Sequence, residues 1–502
     1  MSDILGGLQL ALQWDAIIAI FVGVVSGIFI GAMPGFSASM GVALLIPVTF
    51  GMSPVAGLLM LTAVYTSAIY GGSITATLCH TPGTPASAAT SIDGYKLTQQ
   101  GRGMEAVGVC TLASTIGGSV GALALLFLSP PLGHFSLQFS ALEYCLLALF
   151  GITIIGSLAG ESLVKGIFSG ILGLFLGTVG LDAITGAPRF TFGSIQLEDG
   201  IQFVPALIGL FSISQVMIIS DDVFKGKHTI INEGSMSGRF LPPWHEFKTL
   251  IPTIARSSII GTIVGVIPAA GAGVSSWICY SLGKKFSKHP EKFGHGSMEG
   301  VASSESGNNA ATGGALVPLI TLGLPGSAVA AILLGGMLMH GLVPGASMFT
   351  ENAHVTFAII IGFLFANLLM GVIGLSISKF VARVSTIPMG ILGPMIVAFS
   401  MIGTYAIRNS MFDVGVMLAF GAFGYLLRST GFATAPLILG MVLSEIIENN
   451  WRRALIMSRG DMLAYFMSRP ISIALAILTA VSLFSPILMS YVNKKSRVAE
   501  GK

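Results

Sequence analysis

The sequence predicts an all-α polytopic membrane protein. It is expected to hold two inverted structural repeats with broken helices or re-entrant hairpins, and about 11–14 membrane segments. Three observations carry that prediction. First, 53% of the 502 residues are apolar and only 9% are charged, with a mean hydropathy of +0.85; a soluble domain carries roughly 25% charged residues. Second, apolar stretches long enough to cross a bilayer recur along the whole chain. Third, Pro and Gly interrupt several of these stretches at places that match between the two halves.

In chain order, spans are expected near 15–33, 38–50, 54–80, 106–130, 137–157, 163–180, 202–220, 250–282, 307–339, 354–378, 388–406, 411–428, 432–447 and 470–492. The opening MSDILGGLQLALQWD lacks the basic start of a signal peptide, so the first span is expected to be retained. Cys79, Cys110, Cys145 and Cys279 lie singly in apolar surroundings without CxxC spacing, which supports neither a disulfide framework nor a cysteine metal site. The net charge of +3 gives no sign of a nucleic-acid partner. Lys and Arg sit in short clusters, as in loops between spans, so the expected surroundings are a lipid bilayer.

The halves align. GIFIGAMPGFSAS (27–39) over GTIVGVIPAAGAG (261–273) places Gly27, Gly31 and Pro34 on Gly261, Gly265 and Pro268. Further on, Gly71-Gly72 falls on Gly313-Gly314, and with one inserted residue Pro82-Gly83-Thr84 falls on Pro325-Gly326-Ser327. Later, Gly170, Gly173 and Gly180 fall on Gly421, Gly424 and Gly431, and PALIGLF (205–211) on PLILGMV (436–442). About twenty extra residues near 182–202 read as an extramembrane hairpin. The expected division is a first repeat over 15–225, a linker over 226–249, a second repeat over 250–455 and a C-terminal span over 470–492. Lys96 and Arg102 mark a loop whose counterpart, 337–345, has no Lys or Arg, while the basic loop 284–292 matches the uncharged 51–53. If basic loops face inside, the halves point opposite ways.

Three segments carry polar chemistry. In EGVASSESGNNAATGGALVPL (299–319), Ser303, Ser304, Glu305, Ser306, Asn308 and Asn309 adjoin an apolar run. Lipid contact is excluded, because burying each unpaired group costs roughly 2–7 kcal/mol. Either this stretch is a solvated loop or it faces protein, water or a ligand. Asn carbonyls and Ser hydroxyls are oxygen ligands suited to Na⁺. Second, Pro82-Gly83-Thr84-Pro85 and Pro325-Gly326-Ser327 break their helices; a helix restarting at Thr84 or Ser327 offers free N–H groups to an anion. The bland alternative is a Pro kink without a ligand. Third, the Pro34 and Pro268 breaks are flanked by Ser37, Ser39 and Ser275, and Tyr65, Thr66, Ser67 and Tyr70 precede the first Gly-Gly pair. The expected substrate set is Pro82, Gly83, Thr84, Pro325, Gly326, Ser327, Asn308, Asn309, Tyr70 and Ser67. The expected ion-coupling set is Glu305, Asn308, Asn309, Thr66 and Ser37. Glu305 is the carboxylate placed deepest in apolar sequence. Glu143 and Asp413 sit near span ends, and Glu445 and Glu448 read as a helix end.

GAMPGFSASMGVALLIPVTFGMSP (31–54), AIYGGSITATLCHTPGTPASAATSIDGY (68–95), GVIPAAGAG (265–273) and ASSESGNNAATGGALVPLITLGLPG (302–326) closely resemble the large membrane subunit of the bacterial tripartite tricarboxylate transporter family. The resemblance runs from about residue 15 to 460. It implies secondary import of organic carboxylates such as citrate, driven by Na⁺ or H⁺ and without a further cofactor. It also implies a periplasmic substrate-binding protein, a small membrane subunit of four spans, and a multi-pass place in the bacterial inner membrane. Two departures stand out: Ala269 matches Gly35, and Ala315 matches Ser73. The competing readings are a transporter of another small solute that needs no binding protein, and a membrane-embedded enzyme. The enzyme would need clustered acids or metal ligands that the sequence does not display.

Overall fold

A computed structural model describes residues 2–33, 35–158, 163–182, 185–225, 239–267, 270–384 and 389–483. It is all-helical apart from one short hairpin. The elements run α1 Ser2–Ala11, α2 Trp14–Ala32, α3 Ala38–Thr49, α4 Pro54–Cys79, α5 Ala88–Gln99, α6 Gly103–Ser136, α7 Ala141–Leu158 and α8 Leu163–Gly177. A hairpin of β1 Gly180–Leu181 and β2 Pro188–Arg189 follows. Then α9 Phe203–Ile208 runs through a π turn, Gly209–Ile213, into α10 Ser214–Phe224. The rest is α11 Trp244–Val266, α12 Gly271–Phe286, α13 Met298–Leu322, α14 Ala328–Met339, α15 Ser347–Thr350, α16 Ala353–Val384, α17 Met389–Arg408, α18 Met411–Ser429, α19 Thr434–Met457 and α20 Met462–Met467. Pro470–Leu483 is a further apolar helix. Among the described residues, 8 helices are long and apolar enough to cross a membrane.

The centre belongs to α4 and α13. Each is buried along nearly its whole length, so neither shows an apolar stripe against a polar one. Ser53 caps α4 with Pro54 in the first turn, and Ser297 caps α13 by accepting from the Gly300 N–H at 3.0 Å. Both helices end on a left-handed residue, His80 at φ 54° and Gly323 at φ 70°. Around them, α2 packs on α4 and α11 on α13, with α6 and α16 against both central helices or each other.

Small residues set these approaches. A Cβ on Gly31 would strike the Ala68 carbonyl oxygen, and one on Gly265 the Ala311 carbonyl oxygen. Likewise Gly71 lies on the Ile28 carbonyl and Gly314 on the Thr262 carbonyl. These matched contacts correct the alignment. Gly71 corresponds to Gly314, not Gly313, and the same spacing continues unbroken to Pro82 and Pro325. No residue is inserted, and Ala315 stands where the first half has Gly72 rather than Ser73.

Other expectations change as well. The apolar runs at 250–282 and 307–339 are each two helices, parted at 267–270 and 323–327. Pro34 and Pro268 lie outside the described residues, but helices stop just before each and resume just after. Residues 226–238 of the expected linker lie outside too, and α11 begins within its bounds, at Trp244. Residues 484–492 of the C-terminal span are likewise outside. Glu445 and Glu448 do not end a helix. α19 continues to Met457, because Glu448 pairs with Arg452 one turn on at 2.6 Å and both join Arg189 and Asp182 of the hairpin.

Candidate functional site

The run 299–309 is helix, not loop. Ser303, Ser304, Glu305, Ser306, Asn308 and Asn309 are all fully buried on α13. Ser303 and Ser306 bond their own helix at the Gly300 and Ala302 carbonyls, whereas Ser304, Glu305, Asn308 and Asn309 reach partners in the first half. Thr90 on α5 donates to Glu305 Oε1 at 2.5 Å, and Ser114 on α6 donates to Oε2 at 2.9 Å. The Thr90 hydroxyl also pairs with that of Ser304 at 2.8 Å. Asn308, one turn on from Glu305, donates from Nδ2 to Glu305 Oε1 and to the Ala86 carbonyl, each at 3.3 Å. Asn309 points elsewhere, since successive helix residues are rotated by about 100°. Its Nδ2 reaches the Thr66 hydroxyl at 3.1 Å, and Thr66 in turn donates to Asn367 Oδ1 at 2.7 Å. The Oδ1 atoms of Asn308 and Asn309 are buried without a hydrogen-bond partner.

The Pro-Gly breaks sit on these residues. Thr84 and Ser87 form a reciprocal cap ahead of α5, and Ser327 caps α14 by accepting from the Ala330 N–H at 3.1 Å. A Cβ on Gly83 would strike the Gly31 carbonyl oxygen and lie 2.9 Å from Gly72 Cα. One on Gly326 would lie 2.9 Å from both the Gly265 carbonyl oxygen and Ala315 Cα. Each break is therefore seated on the other break of its own half, with no room for a side chain. The tips are also held from the opposite half. Tyr65 Oη pairs with Ser327 Oγ at 3.2 Å, while Asn308 holds Ala86. In the corrected register Tyr65 and Asn308 are matched positions, so the two crossings are reciprocal. Thr66 and Asn309 are matched too, and they bond to each other.

Of the residues expected from sequence, Glu305 and Asn308 share one hydrogen-bonded group with Thr90, Ser114 and the Ala86 carbonyl beside the Thr84–Ser87 cap. Asn309 and Thr66 form a second group with Asn367, and Ser327 pairs with Tyr65. Three others enter none of these. Ser37 caps α3 through the Met40 N–H and pairs with Ser39. Ser67 donates to its own helix at the Ala63 carbonyl and faces Gly27. Tyr70 stands behind Glu305 with its hydroxyl on Thr111 at 2.7 Å. Sequence reasoning missed Thr90, Ser114 and Asn367. Only Asn367, a lone amide in the apolar run IGFLFANLLMG, carried a readable signal.

The family model described as "Tripartite tricarboxylate transporter TctA family" matches residues 17–439. An uncharacterized 52.8 kDa protein of Agrobacterium vitis, in the TAR-I ttuC' 3' region, is 37% identical over 501 residues, covering 99% of this chain and 98% of that protein. A second uncharacterized protein of the same organism, in the TAR-II ttuC' 3' region, is 39% identical over 238 residues, which is 47% of this chain and 98% of the relative. No solved structure matches the chain.

Proposed function

The chain belongs to the tripartite tricarboxylate transporter TctA family, and from that premise we propose that it is the large membrane subunit of an ion-driven importer of organic carboxylates, citrate among them. It works as a transporter and not an enzyme, in the bacterial inner membrane, with a four-span membrane subunit and a periplasmic binding protein that delivers the carboxylate. Its halves have opposite orientation. The carboxylate lies between the Pro82–Thr84 and Pro325–Ser327 breaks, where restarting helices offer N–H groups and the positive end of their dipole. The coupling ion, Na⁺ or H⁺, is sensed on the α13 side.

One observation carries this reading. Two Pro-Gly breaks at matched positions are stripped of side chains and held by hydroxyl and amide groups of the opposite half. Such irregular backbone is tolerated at membrane depth where it is buried in protein or lines a cavity. The test is uptake of radiolabelled citrate into proteoliposomes that hold the chain and its small subunit, with binding protein outside. Uptake is expected to follow an imposed Na⁺ or pH gradient. Uptake indifferent to both gradients sinks ion coupling, and absence of citrate uptake with other carboxylates taken up narrows the substrate.

A further inference from the structure

The loop between α12 and α13 closes a cavity of about 990 Å³ at the end of the protein that basic loops assign to the cytoplasm. The start of α11 and the turn after α5 complete its walls. Gln100 Nε2 donates to the His295 carbonyl at 2.9 Å, so the cavity lies on the seam between the halves.

Its charges are unevenly matched. Arg102 pairs with Glu246 at 2.8 Å, and the His289 ring with Glu291 at 3.3 Å. Glu299 accepts from the hydroxyls of Thr253 and Ser287 at 2.6 and 2.5 Å. Arg256, Lys288 and Lys292 remain, and among the described residues none of them pairs with a carboxylate. Arg256 stands about two turns beyond Lys248 along α11, in the apolar part of the helix. A guanidinium has several N–H donors, yet among the described residues this one makes a single hydrogen bond, Nη2 to Thr253 Oγ1 at 3.2 Å. It lies over the Phe286 ring, 5.0 Å from the centroid. A cation at this depth without a carboxylate calls for another anion.

Apolar surface continues from the same point. Deeper along α11, Ile259 and Ile263 are exposed, and on α12 so are Val274, Trp277 and Ile278. The two helices touch there, with Cys279 Sγ donating to the Ser257 carbonyl at 3.5 Å. A free cation next to exposed apolar side chains matches the two ends of a phospholipid.

We propose that this cavity and the adjoining α11–α12 surface hold an anionic phospholipid of the inner leaflet. Arg256 takes the phosphate, Lys288 and Lys292 on the exposed loop add positive charge, and the acyl chains lie over Ile259, Ile263 and Trp277. A zwitterionic lipid brings its own cation, which these side chains repel, so the site selects net negative charge. A soluble phosphate would leave the apolar surface unused. The inference goes beyond the import reading and does not depend on which solute is carried.

The test is quenching of tryptophan fluorescence by brominated lipids. The full chain is reconstituted in phosphatidylcholine bilayers with Trp277 as its sole tryptophan, Trp14, Trp244 and Trp451 being replaced by Phe. Dibrominated phosphatidylglycerol is expected to quench Trp277 with about 10-fold preference over dibrominated phosphatidylcholine, the strength of one hydrogen bond to a charged group. A chain that keeps only Trp14, exposed on α2, is the control and is expected to show no preference. Arg256→Gln is expected to abolish the preference at Trp277. Lys288→Gln with Lys292→Gln, both on the exposed loop, is expected to lower it several-fold. Millimolar inorganic phosphate is expected to leave it unchanged. Equal quenching of Trp277 by the two lipids overturns the proposal, and so does an equal preference at Trp14, which means general attraction to a basic protein. A preference undiminished in Arg256→Gln, or undiminished in the double lysine variant, also overturns it. Displacement by phosphate means a soluble-anion site and overturns the lipid assignment.

Discussion

Two buried carboxylates, Asp93 on α5 and Glu305 on α13, are treated differently. Asp93 is fully satisfied. Its Oδ1 accepts from the N–H groups of Gly294, Gly296 and Ser297 at 2.8, 2.9 and 2.9 Å, and its Oδ2 accepts from Tyr280 at 2.8 Å. It pins the loop ahead of α13 to α5 and so joins the halves. Asp93→Ala strips four donors of their acceptor and is expected to cost about 3 kcal/mol or more. The readout is thermal unfolding in detergent, and an unchanged midpoint refutes the latch. Glu305 takes its donors from side chains instead, Thr90, Ser114 and Asn308. At Gly326 the prediction concerns function. Gly326→Ala brings a methyl to 2.9 Å from the Gly265 carbonyl and moves the tip, so uptake is expected to fall by about 100-fold, the effect of a misplacement of about 1 Å. Full uptake by this variant would show that the tip has slack. Glu305, Asn308 and Asn309 were legible in the sequence because polar groups stand out in an apolar run. Thr90 and Ser114 were not, because Ser and Thr in helices commonly bond their own backbone and carry no pattern.

At the scale of elements, the breaks were legible and the register was not. Pro-Gly pairs announce where a helix stops, but the Gly-Gly pairs slide by one residue without changing an apolar pattern. Only backbone approaches such as Gly71 on Ile28 and Gly314 on Thr262 settle the match. The end of α19 was misread for a different reason. EIIENNWRR looks like a boundary, yet Glu448 and Arg452 stand four residues apart and extend the helix. The short C-terminal helix is tied to the start of α7. Glu143 accepts from Arg469 at 2.6 Å and from Ser472 at 2.5 Å, and its other oxygen takes the Ser140 N–H at 2.8 Å. Glu143→Ala is expected to release Pro470–Leu483, seen as faster proteolysis between Ser458 and Arg469 in detergent. Unchanged cleavage would mean that the apolar contacts of Leu475 with Leu147 and Leu324 hold the helix by themselves.

At the scale of the molecule, helices group across the halves. α8 packs on α19, and α18 on the α9–α10 segment, so each pair takes one helix from each half. Gly440 closes on the Gly170 carbonyl, and Gly209 on that of Met417 beside Gly421. The α2, α4, α6, α11, α13 and α16 group stands apart from these pairs, and α3 and α14 touch both groups. Phe203 on α9 lies where a side chain on Gly335 of α14 would go. With the native cysteines replaced, cross-linking of Phe203→Cys to Gly335→Cys is expected to stop uptake and reduction to restore it. Uptake that survives cross-linking means that the groups do not shift against each other. The bond between Thr66 and Asn309 has a consequence of another kind. On the proposed duplication these residues descend from one ancestral position, and they meet. In a dimer of half-length chains that position would have faced its own copy across the two-fold axis, where only a self-complementary side chain fits. A threonine answering an asparagine requires two copies that have already diverged, so this contact marks where two equal copies acquired separate duties.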